Sequence, residues 1–143
     1  AKRMKHLIIK KLVNTKMNAS IQTQTSESLS PGVGITLWTQ DETGALGSVQ
    51  LGEKGVPAET VAQKAINRII NDIKNEVTVD TFLSDQILPY LALSKQESVF
   101  YVQTLTDHFT TNKWVLDHFL DSFSCQFIDQ HNVVKVLCKN NKK

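Results

Sequence analysis

The residue best placed to do chemistry is His108, within Thr106-Asp107-His108-Phe109-Thr110-Thr111-Asn112. An apolar run beginning at Val99 and ending at Leu105 precedes it, and Val115, Leu116, Phe119 and Leu120 follow at helical spacing, so the stretch marks a strand handing over to a helix. Thr106 is a suitable N-cap, which sets His108 in the first helical turn. There, unpaired N–H groups and the positive end of the helix dipole attract an anion such as a phosphate and disfavour the imidazolium. A neutral imidazole is a competent nucleophile, so the position suits attack on a phosphorus atom held at the helix start. Caps and surface residues also occur at such positions, and placement alone leaves those readings open.

A second chemical pair is Asp85-Gln86, inserted into an apolar surrounding of Phe82, Leu83, Ile87, Leu88, Leu91 and Leu93. A carboxylate beside an amide can accept from and donate to a nucleoside or ribose; the same two residues also suit an exposed helical face. Leu51-Gly52-Glu53-Lys54-Gly55-Val56-Pro57-Ala58-Glu59 reads as a turn entering a helix, since it lacks the Gly-Lys-Ser/Thr ending of a phosphate loop. His6, His118 and His131 match no motif and show no metal-ligand spacing.

These residues need elements to hold them. Lys2 to Val13 reads as a helix with Leu7, Ile8, Leu12 and Val13 on one face and lysines around the rest, either a solvated face or one that touches nucleic acid. Ala19, Ile21 and Thr23 alternate with polar residues, suggesting an edge strand over residues 18–25. A loop through Pro31-Gly32 leads to a strand at 34–38, a turn at Asp41 to Gly44 and a return strand at 46–51. The stripe Val61, Ala65, Ile66, Ile69, Ile70 and Ile73 is a core-facing helix. Past a boundary near Glu76 to Val79, Asp80 caps a further helix kinked by Pro89. Strand 98–102, the helix after His108 and a hairpin joined through Asp129-Gln130-His131-Asn132 complete the chain, with a frayed end from Lys139 to Lys143.

The 143 residues, 41% of them hydrophobic, can bury a real core, and a net charge of +2 is too small to argue by itself for nucleic-acid binding. Cys125 and Cys138, the two cysteines, read as buried free thiols in a reducing compartment. No apolar run approaches a membrane span, which suggests a soluble protein. Ala1 has no initiator methionine before it and a helix begins at once, which suggests a fragment of a longer polypeptide. The expected fold is mixed α/β (α+β), built of small helix-on-sheet units.

Gly34-Ile35-Thr36-Leu37-Trp38, the Leu51 to Glu59 stretch, Leu83-Ser84-Asp85-Gln86 with Leu91-Ala92-Leu93, and Leu105 to Asn112 occur in this order, and together they resemble the RNA 3′-terminal phosphate cyclases. The resemblance covers nearly the whole chain and maps it onto the C-terminal part of that family's longer sequence. It implies an ATP-dependent enzyme that converts an RNA 3′-phosphate into a 2′,3′-cyclic phosphate through a covalent histidine–AMP adduct and an RNA adenylate. It assigns the nucleophile to His108 and nucleotide contacts to Phe82, Leu83, Ser84, Asp85 and Gln86, with no metal ligand. ATP, a divalent ion (Mg or Mn) and RNA with a 3′-terminal phosphate are the implied partners, no membrane is among them, and the site of action is cytoplasmic or nucleoplasmic. The implied architecture places residues 1–78 at the C-terminal end of an inserted α/β domain. Residues 79–143 become the last repeat of a large domain, with two helices on a four-stranded sheet. Much of the nucleotide site precedes this region, so the chain alone is expected to be inactive and to need the N-terminal part of the same polypeptide. The rival reading is a noncatalytic cyclase-like factor in ribosomal RNA processing, a branch without the nucleophilic histidine.

Overall fold

A computed structural model describes residues 1–140, the side chain of Gln40 excepted. The fold is mixed α/β, with helices and two small sheets in the order α1 (Lys2–Asn14), β1 (Gly34–Gln40), β2 (Ala45–Leu51), α2 (Ala58–Lys74), α3 (Thr81–Leu93), β3 (Ser98–Val102), α4 (Asp107–Phe119), β4 (Phe123–Gln130) and β5 (Val133–Asn140). The chain divides into two compact units, 1–38 with 47–71, and 39–46 with 72–143.

In the first unit, α1 buries Met4 and Ile8, four residues apart and so on one helical face. Of the stripe that the spacing predicts in α2, Val61, Ala65, Ile66 and Ile69 are buried, with Ala62 beside them, while Ile70 and Ile73 are half-buried. β1 and β2 pair as a two-stranded hairpin, of which residues 39–46, around the turn, belong to the second unit. The expected strand at 18–25 is absent: that segment has no regular structure and is exposed except at half-buried Ile21. Its alternation offers one large apolar side chain, too little buried surface to hold a strand in place.

The second unit stacks α3 and α4 on one face of an antiparallel sheet ordered β3-β5-β4. Leu88 and Ala92 of α3 and Phe109 of α4 pack with Phe100, Val102, Phe123, Cys125, Val136 and Cys138 from the strands. Among the described residues the sheet has three strands, where the resemblance implies four. Along β3 the main-chain N–H groups of Thr78 and Val79 donate to the Tyr101 carbonyl at 3.0 and 3.2 Å, so a short segment partly shields that edge. Ala45 N–H donates to the Thr78 carbonyl at 2.9 Å, and a Cβ on Gly44 would collide with that same carbonyl. Glycine at the hairpin turn is thus a condition of the approach.

The two cysteines are not free thiols. The β4–β5 register sets Cys125 directly opposite Cys138, with Cα atoms 4.3 Å apart, and a disulfide joins them. Directly opposed side chains on one sheet face are close enough to bond. The inference of a reducing compartment loses its basis. Lys139 and Asn140 belong to β5, not to a frayed end, because they pair with Ser124 and Phe123, and Asn140 Nδ2 donates to the Ala92 carbonyl at 2.7 Å. The rest of that expected tail, residues 141–143, lies outside the described residues. Asp129 and Gln130 extend β4, leaving His131-Asn132 as the turn, with His131 at φ 39°. Among the described residues no helix is long and apolar enough to cross a membrane.

Candidate active site

The site is built where α3 and α4 begin. Thr106 is extended, at φ −90° and ψ 166°, and its Oγ1 accepts from the Phe109 N–H at 3.0 Å, the N-cap bond that starts α4. His108 therefore lies in the first turn, as its spacing predicts, and is exposed. Its neighbour Phe109 is wholly buried, meeting Phe100 and Phe127 edge to face at centroid distances of 6.4 and 5.6 Å. Phe109 anchors the turn, and His108, about 100° round the helix from it, stands exposed. The first N–H groups of the helix have no intrahelical acceptor, which makes this turn suited to an anion.

The two sequence stretches meet through Thr106. Its hydroxyl also donates to Asp85 Oδ1 at 2.6 Å, so Asp85 of α3 holds the cap of the helix that carries His108. A second tie comes from a missing donor. Pro89 lies inside α3 and has no N–H, so the Asp85 carbonyl, four residues earlier, loses its helical partner. Asn112 Nδ2 donates to that carbonyl at 3.2 Å. α3 runs on past Pro89 to Leu93.

Of the other proposed nucleotide contacts, Phe82 and Gln86 are exposed and Leu83 and Asp85 half-buried. Ser84 is wholly buried, with its hydroxyl donating to the Thr81 carbonyl at 2.7 Å, so it faces the packing side of α3. Asp80 begins the helix as predicted, its Oδ1 accepting from the Phe82 and Leu83 N–H groups at 3.0 Å each. That cap fixes the main chain directly beneath the two apolar candidates. Among the described residues no group of three or more His, Cys, Asp and Glu side chains gathers to hold a metal ion.

Asn112 carries a structural role that the sequence does not signal, and Pro89 one beyond the expected kink: a proline four residues after Asp85 leaves the Asp85 carbonyl in need of a donor, but nothing local names Asn112 as that donor. His118 stacks near Trp114, at 4.2 Å between centroids, with Nδ1 2.7 Å from the Trp114 carbonyl, and so serves α4 itself.

Residues 1–74 match the family model described as RNA 3′-terminal phosphate cyclase (RTC), insert domain. Curated relatives called RNA 3′-terminal phosphate cyclase include one from Methanosarcina barkeri, 43% identical over 112 residues, covering 78% of this chain and 32% of the relative. Another, from Pyrococcus abyssi, is 38% identical over 109 residues, 76% of this chain and 31% of its own. A third, from Methanosarcina acetivorans, is 45% identical over 98 residues, 68% and 26%. The chain spans roughly a third of the length of such relatives.

Proposed function

This chain belongs to the RNA 3′-terminal phosphate cyclase family, and on that footing we propose that it supplies the nucleophile and part of the nucleotide site of an ATP-dependent RNA 3′-phosphate cyclase. The observation that carries the proposal is the joining of the His108 turn to Asp85 through the Thr106 hydroxyl. A ring nitrogen of His108 attacks the α-phosphorus of ATP; the new N–P bond forms as the P–O bond to pyrophosphate breaks, and the ring gives up its proton. A phosphate oxygen of the RNA 3′ end then takes AMP from the histidine, and the adjacent 2′-hydroxyl closes the ring as AMP leaves. Imidazole is a good leaving group from phosphorus, which lets one residue receive and release the nucleotide.

Asp85 holds the cap of α4 and so fixes where the histidine stands, while Gln86, Phe82 and Leu83 line the proposed nucleotide side. Ser84 supports α3 from within. A divalent cation, Mg or Mn, would travel with the ATP phosphates and offset their charge. We assign residues 1–78 to the end of the inserted domain, supported by the match over 1–74, and 79–143 to the last two-helix repeat. A cytoplasmic or nucleoplasmic site of action remains part of the proposal on the strength of the RNA substrate alone.

Cyclisation should require the segments of the relatives that lie outside the matched region. In a polypeptide of the relatives' length carrying this sequence, RNA with a 3′-phosphate should become 2′,3′-cyclic in the presence of ATP. His108→Ala should lose that activity by at least about a thousandfold, as expected for removing a covalent nucleophile. The 143-residue chain alone should give no cyclic product. Robust cyclisation by the chain alone, or by His108→Ala, would contradict the assignment.

A further inference from the structure

We propose that α1 is a second RNA-binding surface that grips the phosphodiester backbone through Lys2, Arg3 and Lys10, with His6 between them, independently of any 3′-phosphate. The four side chains are exposed, and Lys2, His6 and Lys10 follow one another at intervals of four residues, hence along one stripe of the helix. Each interval advances about 6 Å along the axis, a step comparable to that between phosphates of an extended strand. α1 contains five Lys and Arg and no acidic residue. Arg3 Nη1 meets Glu59 Oε1 at 3.4 Å, with Arg3 exposed and Glu59 half-buried; Lys2 and Lys10 have no ion-pair partner among the described residues.

The wider charge distribution points the same way. The first unit carries nine basic against three acidic side chains, and the second seven against eleven, so a chain of net charge +2 divides into halves of +6 and −4. Such segregation concentrates a positive field on the unit that holds α1 and attracts a polyanion to it. A membrane surface fits less well. An interfacial helix inserts its apolar stripe into lipid, but Met4 and Ile8 are buried within the unit itself, leaving Ile9 and Val13 as the exposed apolar residues of the helix. The choice of RNA among polyanions rests on the family reading above.

The test is fluorescence anisotropy of the chain with a short labelled single-stranded RNA across a salt series, without ATP. Lys2→Gln, Arg3→Gln and Lys10→Gln together should weaken binding by about tenfold or more at low salt. They should also flatten the log–log salt dependence by about 2, the share of three phosphate contacts on a single strand. Lys95→Gln, Lys135→Gln and Lys139→Gln in the second unit should leave binding within about twofold, and thermal unfolding of both triple variants should match the parent. RNAs ending in 3′-hydroxyl and 3′-phosphate should bind alike. Unchanged binding by the α1 variant overturns the proposal, as does binding only to 3′-phosphate RNA or equal affinity for anionic phospholipid vesicles. A histidine–AMP adduct read separately in the longer polypeptide distinguishes the two claims: its absence removes the cyclase reading, whereas an intact adduct with RNA binding that the α1 substitutions leave unchanged removes this one.

Discussion

Pro89 matters for the donor it lacks. The carbonyl it leaves without a helical N–H belongs to Asp85, and Asn112 supplies the bond from 27 residues away. Local rules cannot see such a pairing. They did find Asp80 and Thr106 as caps, because an N-cap needs only a short side chain next to its own helix. They also found the turn at Asp41, whose carboxylate accepts from the Thr43 hydroxyl at 2.6 Å, the Thr43 N–H at 2.7 Å and the Gly44 N–H at 3.1 Å. The Thr43 side-chain bond, then its main-chain bond, hold the Asp41 carboxyl below its ordinary value of 3.8. The stabilisation from a lowered carboxyl is present in full above the ordinary value and is lost as pH falls through the lower, folded one. A carboxyl-carbon titration followed by NMR should therefore place the midpoint of Asp41 below 3.8, and Thr43→Val should move it upward. A midpoint at the ordinary value in the parent would show that these bonds do not hold in solution.

At the level of elements, α3 and α4 are coupled twice, by Thr106 to the Asp85 carboxylate and by Asn112 to its carbonyl. The second coupling gives a double-mutant test. Asn112→Ala should lower the unfolding free energy by about 1 kcal/mol, the usual worth of one such hydrogen bond. In a Pro89→Ala background the same change should cost much less, because the substituted residue restores an N–H to the Asp85 carbonyl. Urea denaturation of the four proteins would show it, and strictly additive costs would refute the assigned partnership. Most elements were legible from periodicity: α2 through its stripe of Val61, Ala65, Ile66 and Ile69, and the last hairpin through Phe123, Cys125, Val136 and Cys138. Where periodicity misled, at Ala19, Ile21 and Thr23, alternation was present without a neighbouring strand to pair with it. The disulfide escaped for a related reason. Both cysteines were read onto neighbouring strands, but only the register places Cys125 opposite Cys138.

For the whole molecule, the two units differ in charge and in work. One carries the basic helix and most of the insert-domain match over residues 1–74; the other carries the turn that presents His108. Fold class was readable from the mixture of helical and strand-like stretches, and the family from four short stretches that occur in a fixed order. The tie between two of them, through Thr106 and Asp85, needed coordinates. Everything proposed about catalysis converges on one bond, between His108 and the α-phosphorus of ATP. The most direct measurement is intact mass followed by peptide mapping of the polypeptide of the relatives' length after incubation with ATP and a divalent cation. One adenylyl group on the peptide containing His108, absent from His108→Ala, is the predicted result. A folded protein that binds ATP yet gains no adduct would contradict the account and favour a noncatalytic role in RNA processing.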